Sequence, residues 1–340
     1  MHFPGILVSM ETREIAGTAQ IATSALGLGC WAIGGPFGAD GAASGWGQVD
    51  DDESIAALRR GLALGVTLFD TADVYGTGHS ETILGRALGH ERDDVVIATK
   101  FGNTFVEGTG RMLGPDVSPA YIRRACEASL RRLGTDRIDL YQCHRGDLDP
   151  GVADEVADTL ERLRDEGLIR AYGWSLDDPE RAGWWSGRQG FAAVQHHFNV
   201  LEDAPEMLAL CERDGLASID RAPLAMGLLS GKFDEASRLP RDDIRGSGAE
   251  WLTAFDPEGR PRREFLERLA AIRELLTVDG RTLVQGALGW LWARSERTIP
   301  IPGFKTVAQV EENAGALAHG PLPADSMREI DALLGRVPAR

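Results

Sequence analysis

Eight short apolar runs, separated by stretches of helical periodicity, constrain the fold of this chain more than any other feature. From residue 25 they are "ALGLGC", "TLFDTA", "VVIATK", "IDLYQCH", "IRAYGWS", "AAVQHHF", "LASIDRAP" and "TIPIPG". Each is the length of a strand, and the near-continuous apolar character of "VVIATK" is that of a strand covered on both faces. Between them, "DDESIAALRRGLALG", "SPAYIRRACEASLRRLG" and "PGVADEVADTLERLRDEG" carry helix signals. An Asp-Asp-Glu start and a Ser118-Pro119 start are matched by Gly65, Gly134 and Gly167 as stops. Strands alternating with helices predict one parallel α/β domain, and eight strands is the number that closes a barrel. No low-complexity linker divides residues 1–340, so a single domain is expected.

Charge and composition exclude several classes. The 36 basic against 52 acidic residues give a net charge of -16, which argues against a nucleic-acid surface. No apolar stretch approaches the ~20 residues of a membrane span. The opening "MHFPGILVSM" lacks the basic region and apolar core of a signal peptide, so a cytoplasmic location is expected. Met10 opens a more strand-like segment, and residues 1–9 read as an extension or a misplaced start. Cys30, Cys126, Cys143 and Cys211 are scattered without a C-x-x-C pair, which points to buried free thiols. His196 and His197 are neighbours on a strand and point to opposite faces, so they do not share a metal. No metal site is expected.

Residues 230–260 run long for a connection between strand and helix, and read either as a lid or as a solvated excursion. The fragment "GLGCWA" (Gly27, Gly29, Ala32) fits the loose dinucleotide fingerprint G-x-G-x-x-A. Gly34, Gly35, Pro36 and Gly38 follow at once, however, and no helix can begin there, so a tight turn at the barrel mouth is the better reading.

Chemistry in a parallel barrel sits at the C-terminal ends of the strands. Those ends carry Asp70, Lys100 and His144 on three consecutive strands, then Ser175 and Gln195. Singly, each has a bland reading: a turn residue, a snorkelling lysine, a core histidine. Together they deliver a carboxylate, an ammonium and an imidazole to one rim. Tyr75 follows Asp70 in "FDTADVYG" on the loop leaving the same strand. Lys100 is expected to lower the pKa of the Tyr75 phenol, with Asp70 holding the lysine charged and His144 orienting a carbonyl oxygen.

The motifs "FDTADVYG", "HSETILGRAL", "IATKFG", "SLRRLGTDRIDLYQCH" and "IPIPGFKTVAQVEENAGAL" resemble those of the aldo-keto reductases, from about Arg13 to Leu317 and in the same order. The resemblance implies a (β/α)8 TIM barrel with a short N-terminal β-hairpin and long loops at its C-terminal mouth. It implies an NADP-dependent oxidoreductase that reduces a small carbonyl substrate and prefers NADPH over NADH. Tyr75 would be the proton donor, supported by Asp70 and Lys100, with His144 and Trp31 in the substrate pocket.

Ser175 and Gln195 match positions that hold the nicotinamide carboxamide. "APLAMGLLSGK" resembles a loop covering the pyrophosphate and brings Pro223, Leu224, Gly227 and Lys232 to the cofactor, with Arg221 just before it in "DRAPL". Gly303, Lys305, Gln309, Glu312 and Asn313 match the segment gripping the adenosine phosphates, where a helix N-terminus offers free N–H groups, with Lys305 on the 2′-phosphate. Three positions depart from the family pattern: Leu176 replaces a frequent Asn, Arg221 an aromatic ring, and Gln309 an Arg. The loops spanning 31–46 and 230–260 are expected to read the substrate. A cofactor-sensing subunit on the same barrel, with little turnover, is the competing reading. A barrel lyase or isomerase would want a metal or a paired acid and base, and neither is evident.

Overall fold

The computed structural model describes residues 11–15 and 20–336. The expected extension at residues 1–9 lies outside them. All eight apolar runs form strands of one parallel sheet: β1 (Gly27–Gly29), β2 (Leu68–Asp70), β3 (Val96–Phe101), β4 (Ile138–Cys143), β5 (Ile169–Ser175), β6 (Phe191–His197), β7 (Ala217–Arg221) and β8 (Thr298–Pro300). They pair in sequence order from β1 to β8. Closure comes just beyond β8, where Gly29 bridges Gly303 and the Gly29 N–H donates to the Pro302 carbonyl at 3.0 Å.

Around the sheet pack α1 (Asp51–Ala63), α2 (His79–Leu88), α3 (Pro119–Leu133), α4 (Pro150–Asp165), the short α5 (Pro179–Ala182), α6 (Pro205–Asp214), α7 (Arg263–Leu276), α8 (Leu283–Arg294), α9 (Val307–Gly315) and α10 (Ala324–Leu333). The local signals act as read. Asp50 caps α1, Ser118 caps α3 with Pro119 behind it, and Gly65, Gly134 and Gly167 all adopt the left-handed conformation. The antiparallel hairpin of Thr12–Ile15 with Ile21–Ser24 places Ile15 and Ile21 in one cluster with Leu68, Val96, Leu140 and Ile299. That cluster is the barrel interior, and the hairpin plugs its lower end. The four cysteines are buried free thiols, and Trp185 is buried, stacked on Trp174 at 4.2 Å. Among the described residues, no helix is long and apolar enough to cross a membrane.

Two features of the mouth go beyond the sequence reading. Gly38–Ala39, Ala42–Ala43, Asn103–Val106 and Arg111–Pro115 form a separate four-stranded sheet on the rim. The 230–260 segment is a packed strap, not a solvated excursion. Ile244, Leu252, Ala254 and Phe255 are buried in a common cluster with α7 and α8 residues. Trp46 bridges Asp243, and the Ile244 N–H donates to the Gly45 carbonyl at 2.8 Å, which ties the strap to the loop after β1.

Candidate active site

Strand parity builds the site. Side chains alternate across a strand, so Asp70 on β2, Lys100 on β3 and Gln142 on β4 share the inner face with Leu68, Ala98 and Leu140 below them. Lys100 lies opposite Gln142 in the register, and Ser175 opposite Gln195. The last inward layer is thus polar where the layers beneath are apolar.

Its hydrogen bonds are closely knit. The Lys100 ammonium donates to Asp70 Oδ1 at 2.5 Å and to the Thr71 carbonyl at 2.7 Å. Asp70 Oδ2 accepts from Gln195 at 2.7 Å and from Gln142 at 3.1 Å. Tyr75 sits over this layer, with the Lys100 Nζ 5.2 Å from its ring centroid and the His144 ring edge-on at 5.9 Å. The Thr71 hydroxyl donates to Ser80, whose hydroxyl donates to the Cys30 carbonyl, and the Ser80 N–H reaches the Tyr75 carbonyl. The start of α2 therefore anchors the loop that carries Tyr75. Gln142, which reading strand ends alone misses, belongs to this hydrogen-bonded layer through its bond to Asp70. Its signal was its inward parity, two residues before His144.

The electrostatics correct one expectation. Burial pushes the Tyr75 phenol above its ordinary pKa, and the opposing pull of Lys100 offsets only part of that rise. The phenol is held protonated and is not tuned downward. Burial works against the Lys100 charge as well, but Asp70 and Tyr75 more than compensate, so the ammonium is kept. Burial, then the positive charges of Lys100, Arg221 and Arg145, push His144 well below the ordinary imidazole value. It is neutral near pH 7, and its buried Nδ1 has no partner.

A cavity of about 1350 Å³ opens over this layer. Asp70, Tyr75, His144, Ser175, Gln195 and Trp31 line it, as do Arg221, Pro223, Leu224, Gly227 and Lys232. Gly303, Lys305, Gln309 and Glu312 line its far end. Asn313 is buried, and its Nδ2 has no hydrogen-bond partner. Lys100 lies behind Tyr75 with no exposed surface. The segment after β7 is strained: Ala222, Ala225 and Met226 all have left-handed φ, beside Gly227.

Three cofactor expectations change in detail. Gln195 is bound to Asp70 through its amide nitrogen, so only its oxygen side is left for a ligand. Arg221 is ion-paired with Asp177. Two of the first three N–H groups of α9, those of Val307 and Gln309, are already taken by side chains of the protein itself. Glu53 accepts from the Val307 N–H, Thr306 from Gln309, and the Gln309 side chain from the Lys305 N–H. The Lys305 ammonium itself donates to the Trp46 carbonyl at 2.6 Å and the Gln48 carbonyl at 3.2 Å. The free donors read from sequence were invisible as occupied because Glu53 lies on α1, far away along the chain.

Comparison with known proteins agrees with this geometry. The model of the aldo/keto reductase family matches residues 25–334. The aldo-keto reductase YhdN of Bacillus subtilis is 32% identical over 96% of this chain and 94% of its own. A solved structure of the glycerol dehydrogenase of Gluconobacter oxydans is 31% identical over 97% of both chains, with a TM-score of 0.79. An aldo/keto reductase of Klebsiella pneumoniae, solved in complex with NADP and acetate, is 26% identical over 97% of this chain and 98% of its own, with a TM-score of 0.70.

Proposed function

Because this chain belongs to the aldo/keto reductase family, we propose that its mouth cavity is the site of an NADP-dependent carbonyl reduction in which Tyr75 is the acid. The protein is an oxidoreductase that interconverts an aldehyde or ketone and its alcohol. The observation that carries the assignment of residues is the buried Asp70–Lys100 pair at 2.5 Å, set behind Tyr75 and beside a neutral His144.

The residues present suit a nicotinamide dinucleotide. Six carboxylates line the cavity with its four cations, and Arg221 and Arg245 are already paired with Asp177 and Asp243. Lys232 and Lys305, which have no ion-pair partner among the described residues, are the cations available to a phosphate. The volume exceeds the ~300–1,000 Å³ of an ordinary single-ligand pocket, leaving room for a substrate beside the cofactor. The orphaned Asn313 amide and Trp46 indole N–H supply unmet donors, of which Trp46 lines the cavity. Ser175 and the free side of Gln195 would hold the carboxamide, and Lys232, Lys305 and the 222–232 segment the phosphates. When bound, the nicotinamide supplies the hydride.

The chain's own residues handle the proton. Tyr75 gives its proton to the carbonyl oxygen, and the phenolate left behind is stabilised by the adjacent ammonium of Lys100. Asp70 fixes that ammonium, and Gln142 and Gln195 occupy the other carboxylate oxygen so that it does not rotate away. His144, being neutral, has one N–H to offer. It orients the carbonyl oxygen without competing as an acid.

The test is NADPH oxidation with a reactive aromatic aldehyde, comparing wild type with Tyr75→Phe. Turnover should fall by about 10²–10⁴, with NADPH affinity, read by fluorescence titration, unchanged. Undiminished turnover in the variant refutes the assignment of Tyr75.

A further inference from the structure

The outer half of the cavity carries a feature that carbonyl reduction by itself does not call for. Tyr75, Trp31 and Trp251 form a ladder of near-parallel rings. Trp31 lies 5.8 Å from Tyr75 with 19° between planes, and Trp251 lies 6.2 Å from Trp31 at 28°. Trp46 meets Trp31 edge-on at 5.5 Å, and the Trp31 indole N–H donates to the Ser44 carbonyl, so the middle rung is fixed. Trp251 is 54% exposed, yet its backbone is pinned. On its C-terminal side Leu252 and Ala254 are buried and the Thr253 hydroxyl donates to Glu202 at 2.6 Å, and the Leu252 N–H donates back across it to the Ala249 carbonyl. A large aromatic held half-open on an ordered strap and lining a cavity is poised for contact.

The charges nearby do not favour an ionic ligand on this side. Phe37, Val74 and Met112 complete the wall. Two charged pairs near the strand ends are internally matched, Glu202 with His197 and Arg221 with Asp177. Of the cations that line the cavity, Arg245 on the strap lies over the Trp46 ring at 4.4 Å but is paired with Asp243, and Arg221, Lys232 and Lys305 lie at or beyond the ends of β7 and β8.

We infer that this ladder is a subsite for a second apolar unit of the substrate, an uncharged aryl group or long alkyl chain beyond the reacting carbonyl, and that Trp251 is its specificity-determining residue. The inference rests on the reading that reduction occurs at Tyr75. The rungs extend outward from the acid, so a ligand touches Trp251 only if it reaches past Trp31. Propanal and benzaldehyde are too short, whereas biphenyl-4-carboxaldehyde is long enough.

The experiment is kcat/KM for these three aldehydes with wild type, Trp251→Ala and Trp251→Phe. Wild type should favour the biphenyl aldehyde over propanal. Trp251→Ala should lower kcat/KM for the biphenyl aldehyde about tenfold, as expected for the loss of one stacked face, and mainly through KM. Propanal should change less than twofold, and Phe should restore most of the loss. Equal losses for all three aldehydes, or none for the biphenyl compound, overturn the subsite. Binding of the non-reducible biphenyl-4-carboxamide to the NADP-loaded protein, by calorimetry, reads the subsite apart from turnover and should weaken by the same factor. Wild-type protein that binds this amide but reduces none of the aldehydes would count against the reaction at Tyr75 and for the ladder. Equal amide affinity in Trp251→Ala would count against the ladder alone.

Discussion

Lys305 shows how far a single residue's role depends on its neighbours. Its position in "IPGFKT" marks it for the ribose 2′-phosphate, but in the fold its ammonium is already held by the Trp46 and Gln48 carbonyls. Burial lowers its pKa, with Asp243 opposing. A phosphate would take up the ammonium in place of, or together with, two neutral acceptors, and charge-assisted bonds are the stronger kind. Lys305→Ala should therefore weaken NADPH by roughly tenfold, a charge-assisted bond contributing about 1.5 kcal/mol or more, and NADH by less than threefold. Titrations of both cofactors measure this, and equal losses would mean that Lys305 only props the loop after β1. Tyr75 teaches the same lesson from the opposite side. Sequence showed the lysine beside it, but not the burial that outweighs the lysine.

At the scale of elements, the barrel closes over a seam with little room. Strand β1 contributes only three residues, and a Cβ at Gly29 would stand 2.7 Å from the Ile301 carbonyl oxygen. The same glycine carries the bridge to Gly303 and the bond to Pro302. Gly29→Ala should thus cost about 1–3 kcal/mol through overpacking and a spread seam. Denaturant unfolding monitored by circular dichroism would measure it, and a stability equal to wild type would show that the seam can shift without cost. Glycine here reflects close strand approach, not phosphate binding, which is why the fingerprint reading of "GLGCWA" fails. The strap is the element that sequence least described. Its order depends on Ile244, Leu252 and Phe255 finding α7 and α8, and no local periodicity encodes those contacts.

Taken as a whole, the molecule buries charge-capable groups outside the site too, on the outer face of the sheet. His196 is 2.7 Å from Ser218, which donates to Asp220 at 2.8 Å. Burial holds His196 down to about 3 and pushes Asp220 well above the ordinary carboxylate value. The unfolded chain takes up a proton on His196 below pH ~6.5 that the native state refuses, so this contribution to stability falls as pH drops toward 3. Asp220 has the opposite sign. The native state keeps a proton that the unfolded chain releases above pH ~4, so its contribution rises as pH drops. Each slope is about 1.4 kcal/mol per pH unit, and the two oppose each other. Asp220→Asn removes the second and keeps an oxygen for Ser218. Its stability should fall more steeply than that of wild type as pH goes from 6.5 to 4.5, by thermal unfolding at each pH. Parallel profiles for the two proteins would refute the pairing.

The sequence by itself determined the strand-and-helix order, the barrel, and the delivery of Asp70, Lys100 and His144 to one rim with Tyr75 above them. These follow from periodicity and chain connectivity, which are local properties. Alternation along a strand decides which side chains point inward, and parallel order decides which rim they reach. Only the tertiary structure decided what surrounds each group there: the burial that keeps Tyr75 protonated, the grip of Gln142 and Gln195 on Asp70, the partly occupied N-terminus of α9, and the aromatic ladder. Those outcomes depend on distances between residues far apart in the chain and on how much water is excluded between them, and neither quantity exists before the chain has folded.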